Sequence, residues 1–303
     1  MHLNTELQSQ ITGTLRFNEK LASYTSWHIG GLAKQYYRPA NNQDLSLFLQ
    51  TLDPAEPLFW LGLGSNVLIR DAGFAGTVIH TYKMPQDINI IAQDNDNSLL
   101  IRVAAGVACA KIARFAAKQG VVGAEFFAGI PGTMGGALAM NAGAWGSDTW
   151  QHVVELQVIN RHGQIITRQP SEYQISYRTI ITPAEEWFVS ATLKFLPGDT
   201  ELANLRIKEL LQLRNATQPI GLLSCGSVFR NPEGKYAAEI IEATKLKGRR
   251  IGGAEVSMKH ANFIINVDNA SAQDVENLIQ EIQTRVLQDH GIALHPEVKF
   301  IGT

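Results

Sequence analysis

Cysteine is nearly absent from this chain: of 303 residues only Cys109 and Cys225 carry a thiol. Two cysteines supply neither a disulfide framework nor a zinc ligand set, so the expectation is a protein of the reducing cytoplasm that holds no metal. A surplus of either charge is missing as well. The 26 Lys and Arg against 28 Asp and Glu leave a net charge of −2, which concentrates no basic surface for nucleic acid or for an anionic membrane. The opening MHLNTELQSQ lacks the cationic and then apolar pattern of a secretory signal. What the chain does contain, 45% hydrophobic and 18% charged residues, fits two or three globular domains with room for a core.

Charge is locally absent too. Between Glu125 and Asp148 no side chain is charged, and the stretch AGIPGTMGGALAMNAGAWG, Ala128 to Gly146, holds six glycines and Pro131. Its length is that of a membrane-spanning helix, but glycine and proline at this density argue against one. A buried, tightly turned loop is the better reading. Glycine reaches positive φ without steric cost and lets backbone amides approach a bound molecule.

The first two-thirds of the chain reads as short strands with few helices. Pro57–Gly62, Gly76–Thr81 and Leu99–Gly106 are apolar, β-branched runs bounded by turn residues. VVELQVINRHGQIIT reads as a hairpin hinged at His162-Gly163 and EEWFVSATLKFL as a further strand. Helices are expected where Asn41 caps NNQDLSLFLQTL and where VACAKIARFAAKQG stops on Gly120. After Asp199 a helix with Ile207, Leu210 and Leu211 on one face is followed by a glycine turn at SCGSVF, a helix at YAAEIIEATKL and a strand at NFIINV. The last helix is the clearest element. Ser271 and Asp274 make a capping pair, Val275, Leu278, Ile279, Ile282 and Val286 form one stripe, and Gly291 ends it. The whole is an α+β protein, with a domain boundary near Pro197-Gly198.

Another glycine loop, earlier in the chain and so the first of the two, is WLGLGSNVLIRD, which places Gly62, Gly64, Ser65 and Asn66 after one apolar strand and before another. Amides at a strand end, joined by Ser and Asn donors, make a concavity suited to phosphate. Neither loop is a Walker motif, since no Lys-Ser/Thr follows its last glycine. GLGSNV fails the dinucleotide fingerprint at Val67, and GLGSN is not the nucleophile elbow of a hydrolase. A nucleotide held here is held in another manner.

LGLGSNVLIRD followed by AGIPGTMGGALAMNAGAWG resembles the two flavin-binding segments of the UDP-N-acetylenolpyruvoylglucosamine reductase family. The resemblance continues through ISYR at Ile175 to Arg178, SCGSVFRNP at Ser224 to Pro232, GAEVSMKHANFIIN at Gly253 to Asn266 and HPEVKFIG at His295 to Gly302, so it runs from about Ser26 to the end. It implies an α+β fold: a vanillyl-alcohol-oxidase-type (PCMH-type) FAD-binding domain in two subdomains, residues 1–80 and 81–198, and a smaller α+β substrate-binding domain, 199–303, with strand 293–303 able to pack back on the first subdomain. It implies non-covalent FAD, NADPH as hydride donor, and a nucleotide-sugar substrate taken by a cytoplasmic monomer. Cofactor contacts carried over are Gly62, Gly64, Ser65, Asn66, Ile130, Pro131, Gly132, Thr133, Gly135, Gly136, Asn141, Ala142 and Gly143. SYRTIITPAEEWFVSATLKF leaves no room for the inserted loop, with its tyrosine, of the family's longer members. The chain resembles the shorter form, although Thr179-Ile180-Ile181 departs from the usual residues after the arginine.

The implied reaction reduces an enol-ether double bond bearing a carboxylate, which requires stabilising an enolate and delivering a proton to it. Arg178 offers the carboxylate a planar fork of donors, Ser227 is the implied proton donor, and Glu297 sits beside the enol ether. Asn231, Arg230 and Lys259 are the candidate substrate contacts, with Lys235 in reserve; the nearby KLKGRR reads as a solvated face. Outside the motif each has a plainer use, as a surface arginine, a turn serine or a carboxylate at a strand start. Two other functions stay open here: another FAD-dependent oxidoreductase on the same scaffold, and a nucleotide-binding module without chemistry. Neither loop carries a His or Cys for covalent flavin attachment. The reading predicts a yellow protein that releases FAD on denaturation and bleaches anaerobically with NADPH; absorbance at the flavin bands checks it, and a protein colourless after reconstitution refutes it.

Overall fold

The computed structural model describes residues 9–82, 84–85, 87–94 and 96–303. Most of the stretch examined for a secretory signal, residues 1–8, lies outside them. The chain forms two compact units, neither continuous in sequence. One comprises Met1–Arg16, Gln35–Gly62 and Gly76–Gln212, the other Phe17–Lys34, Leu63–Ala75 and Leu213–Thr303. The helix Thr200–Thr217 starts in the first and ends in the second. Among the described residues no helix is long and apolar enough to cross a membrane.

The α+β class expected from the sequence is what the elements form. A larger sheet in the first unit has the order Ile165–Arg168, Val153–Asn160, Glu186–Pro197, Leu99–Ala104, Ile88–Gln93. Its neighbours are antiparallel, as the hairpin reading of VVELQVINRHGQIIT requires, and Gly163 takes φ +76 at the hinge. The helix Cys109–Lys118 buries Cys109, Ile112, Ala113, Ala116 and Ala117 in the core, together with Ile101, Val103, Leu156, Val158 and Leu193 of the sheet. A four-stranded sheet has the order Thr14–Lys20, Leu32–Arg38, Phe74–His80, Leu58–Leu61. Within it Leu58–Leu61 runs parallel to Thr77–His80. The strands Thr14–Lys20 and Ile88–Gln93 carry no buried side chain, and the apolar Leu15 and Phe17 of the first are exposed.

In the second unit the helix Ala272–His290 has both halves of its capping box, Ser271 accepting from the Asp274 amide and Asp274 from the Ser271 amide. Its stripe of Val275, Leu278, Ile279, Ile282 and Val286 is buried, and Gly291 closes it at φ +66. The Asp71 carboxylate adds two more acceptors at its start, for the amides of Ala272 and Gln273. Lys299–Ile301 pairs in parallel with Val67–Ile69, so the end of the chain is bonded to the strand that leaves the first glycine loop.

One buried carboxylate organises the beginning of the first unit. Asp44, 3% exposed, accepts from the amides of Thr12, Gly13 and Ala40 and from the Tyr37 hydroxyl. Burial alone raises its pKa, but the bonds from Tyr37, Ala40, Thr12 and Gly13 together outweigh burial and hold it below the ordinary aspartate range. A depressed folded pKa stabilises the protein above the unfolded value of about 3.9, and that contribution is lost as pH falls through the folded value. Asp44→Asn should therefore cost about 1–3 kcal/mol at neutral pH, read by urea denaturation. The gap to the parent protein should narrow as pH drops below about 4; a gap independent of pH assigns the loss to shape rather than charge.

Candidate functional site

The uncharged loop is held by its own backbone. Thr133 begins the short helix Met134–Ala139 and its hydroxyl accepts from the Gly136 amide at 3.4 Å. The amides of Ile130, Gly132, Met134 and Gly135 donate to the carbonyls of Phe127, Ile130, Val107 and Ala105. These four amides are turned to protein acceptors rather than outward, those of Met134 and Gly135 to the neighbouring loop at Ala105–Val107, because a buried amide needs an acceptor. Pro131 lacks an amide altogether. A Cβ built on Gly62 would lie 2.5 Å from the Thr133 hydroxyl, so the two glycine-rich segments touch there. Glycine is needed at this contact by packing within the protein itself.

The first glycine loop differs. Among the described residues no acceptor is bonded to the amides of Gly64 and Ser65 or to the Ser65 hydroxyl, while the Gly64 carbonyl accepts from the Ser26 amide at 3.0 Å. Donors of a buried turn without protein acceptors suit an anionic group such as a phosphate. Gly64 has φ +63, and a Cβ there would lie 2.1 Å from the Tyr24 carbonyl oxygen. Asn66 turns its side chain to the protein, donating Nδ2 to the Glu297 carbonyl at 3.2 Å, and its own carbonyl accepts from Lys299.

Sequence reasoning missed His80. It is 4% exposed, with Nε2 at 3.0 Å from the Gly62 carbonyl and Nδ1 at 2.6 Å from the Tyr36 hydroxyl. A carbonyl only accepts, so Nε2 carries the proton; in the neutral ring Nδ1 then accepts from Tyr36. The imidazole thus fixes the carbonyl at the head of the first loop. The signal was a histidine closing the apolar run GTVIH, where a buried polar group must find partners.

Asn141 is buried with φ +43, and its Oδ1 accepts from the Trp150 amide. The Ala142 carbonyl accepts from the Thr149 amide and hydroxyl. Arg178, in the turn between Gln174–Ser176 and Thr179–Ile181, donates Nη1 to the Asn141 carbonyl and Nη2 to the Gly143 carbonyl, both at 2.9 Å. Its guanidinium lies 5.2 Å from the Tyr177 ring centroid.

The second unit brings Ser227 and Glu297 together. Val228, next to Ser227, donates its amide to the Asn262 carbonyl at 2.9 Å and accepts from the Glu297 amide at 2.7 Å. The Asn262 side chain bonds both backbone groups of Phe229, and the Arg230 amide reaches the His295 carbonyl. This segment is gripped on both edges, which sets the half-buried Ser227 beside the half-buried Glu297. Burial and the Glu297 charge push the Cys225 thiol far up, so the carboxylate lies near that end of the segment. Among the described residues the Ser227 hydroxyl has no hydrogen-bond partner.

The residues expected to hold substrate are more dispersed in role. Asn231 is exposed and its Oδ1 accepts from the Ala237 amide, while Lys259 is exposed with Nζ on the Asn215 carbonyl. In KLKGRR, Lys247 pairs with Glu242, Arg249 with Glu281 and Arg250 with Glu255, as a solvated face does. Arg178 belongs to the first unit, Ser227 and Glu297 to the second.

Comparison with known proteins adds to this geometry. The family model of the C-terminal domain of UDP-N-acetylenolpyruvoylglucosamine reductase matches residues 218–301. A model of an FAD binding domain matches residues 33–168. Proteins named UDP-N-acetylenolpyruvoylglucosamine reductase are similar across most of the chain. That of Legionella pneumophila (strain Lens) is 54% identical, covering 96% of this chain and 93% of its own. That of Alkalilimnicola ehrlichii is 50% identical, covering 96% and 95%. Among solved structures, the reductase of that name from Thermus caldophilus is 28% identical with a TM-score of 0.80, covering 96% of this chain and 99% of its own.

The geometry of the first loop generates a direct test. Gly64→Ala places a side chain in left-handed backbone, which costs about 1–2 kcal/mol, and drives it into the Tyr24 carbonyl. The expected outcome is a lower urea midpoint together with weaker FAD retention; a variant as stable as the parent contradicts the conformation described.

Proposed function

This chain belongs to the UDP-N-acetylenolpyruvoylglucosamine reductase family, and from that premise we propose that Arg178, Ser227 and Glu297 carry its chemistry. The protein is an FAD-dependent oxidoreductase that uses NADPH to reduce the enolpyruvyl double bond of UDP-N-acetylglucosamine enolpyruvate, giving UDP-N-acetylmuramate for peptidoglycan synthesis. The donors at Gly64 and Ser65 fit a cofactor with a diphosphate. When bound, FAD would supply the redox chemistry that links NADPH to the double bond.

In this reading FAD is held by Gly62, Gly64, Ser65 and Asn66 and by Ile130, Pro131, Gly132, Thr133, Gly135, Gly136, Asn141, Ala142 and Gly143. Residues 1–80 and 81–198 form the two cofactor subdomains and 199–303 takes the substrate, with Asn231, Arg230 and Lys259 among its contacts. The nucleotide sugar is the partner; the enzyme works as a cytoplasmic monomer without nucleic acid or membrane. The net charge of −2 and the two buried, unbridged cysteines support that setting.

Each side chain has a defined task. Reduction places negative charge on the carbon next to the substrate carboxylate, and the guanidinium of Arg178 opposes that charge with two parallel N–H donors. Ser227 delivers the proton that completes the saturated carbon. A serine hydroxyl is a weak acid, so it serves only where the acceptor is carbanionic and a cation stabilises the alkoxide left behind. Glu297 sits beside the enol ether and helps to place charge and protons there. The observation that supports the reading is the bond from the Glu297 amide to the Val228 carbonyl, which runs the backbone next to Ser227 alongside that of Glu297, with a Ser227 hydroxyl that has no hydrogen-bond partner among the described residues.

Ser227→Ala should leave flavin reduction by NADPH nearly intact and slow the enolpyruvyl half-reaction by roughly 10²–10⁴-fold. Stopped-flow absorbance resolves the two steps, and equal slowing of both removes Ser227 from the proton-donor role.

A further inference from the structure

We propose that Arg178 is also the strut of the segment Asn141–Gly143, so that the side chain read as the substrate's carboxylate partner shapes the cofactor site as well. The inference rests on the reading of Asn141–Gly143 as part of the FAD site. Of the three carbonyls in that segment, one is held by Thr149 and the other two by the two ends of a single guanidinium. A guanidinium presents its donors as a rigid planar fork, which suits two carbonyls flanking one residue; an ammonium offers donors from one point. Two of its five N–H groups make these bonds.

Backbone conformation points the same way. Arg178 has φ +56, a left-handed region that glycine or asparagine enters more easily than a long side chain. A residue kept in that conformation is one whose surroundings hold it there. Here the holding groups are the carbonyls of Asn141, itself left-handed at φ +43, and of Gly143. Between them runs a segment with no charged side chain of its own to fix it. Arg178 is thus a positioning residue for the loop in addition to its task at the substrate.

The test strips FAD from the holoenzyme and titrates it back into parent, Arg178→Ala, Arg178→Lys and Ser227→Ala proteins, reading flavin fluorescence, the bound absorption spectrum and the melting temperature of the FAD-free forms. The expected result is an FAD dissociation constant raised roughly ten- to a hundredfold in Arg178→Ala, partly restored in Arg178→Lys and unchanged in Ser227→Ala. The bound spectrum should be altered and the FAD-free melting temperature should stay at the parent value. Parent-like FAD affinity in Arg178→Ala overturns the strut. So does a fall in FAD-free melting temperature in both Arg178 variants, which assigns Arg178 to general stability. A parent protein that takes up no FAD refutes the proposed function instead, so the two failures are told apart.

Discussion

A backbone stripped of charged side chains can be held only by its own amides and carbonyls and by whatever donors reach it from elsewhere. That constraint governs the run from Phe126 to Ser147. Its amides go to Phe127, Ala105 and Val107, and its carbonyls to Thr149 and Arg178. The loop satisfies many of its polar groups internally and others by such borrowing, which is the general condition for irregular backbone to exist inside a protein. His80 does the same work for the carbonyl of Gly62. The glycines of that loop serve the protein before they serve a ligand, Gly62 letting it approach Thr133 and Gly64 letting it approach Tyr24.

The second unit solves a related problem with side-chain amides. Asn262 spans both backbone groups of Phe229, and Asn66 bonds the Glu297 carbonyl from the far end of the sequence. These neutral donors and acceptors hold the backbone of the segments that carry Ser227 and Glu297. Three cations of KLKGRR, Lys247, Arg249 and Arg250, are tied to carboxylates of their own.

Legibility in the sequence followed the strength of local signals. The helix Ala272–His290 was readable because Ser271, Asp274, the apolar stripe and Gly291 agree with one another. Asn41 at the start of Asn42–Thr51 was readable for the same reason. The strands Thr14–Lys20 and Ile88–Gln93 were not, since their side chains are exposed or half-buried rather than packed in a core. At the site, residue identities came from motifs, but the use of each polar group did not. That Asn66 serves Glu297 and that Arg178 serves Asn141 and Gly143 are contacts between segments distant in sequence, and no spacing rule encodes them.

The two thiols have a consequence of their own. Cys109 and Cys225 are both buried, and burial drives both well above the ordinary thiol range, with the Glu297 charge adding to it at Cys225. A protonated, enclosed sulfur is a poor nucleophile. Alkylating reagents and peroxide then gain entry only when the surrounding core opens, one sulfur sampling each unit. The chain thereby carries a pair of built-in gauges whose labelling rates track breathing of the two halves separately.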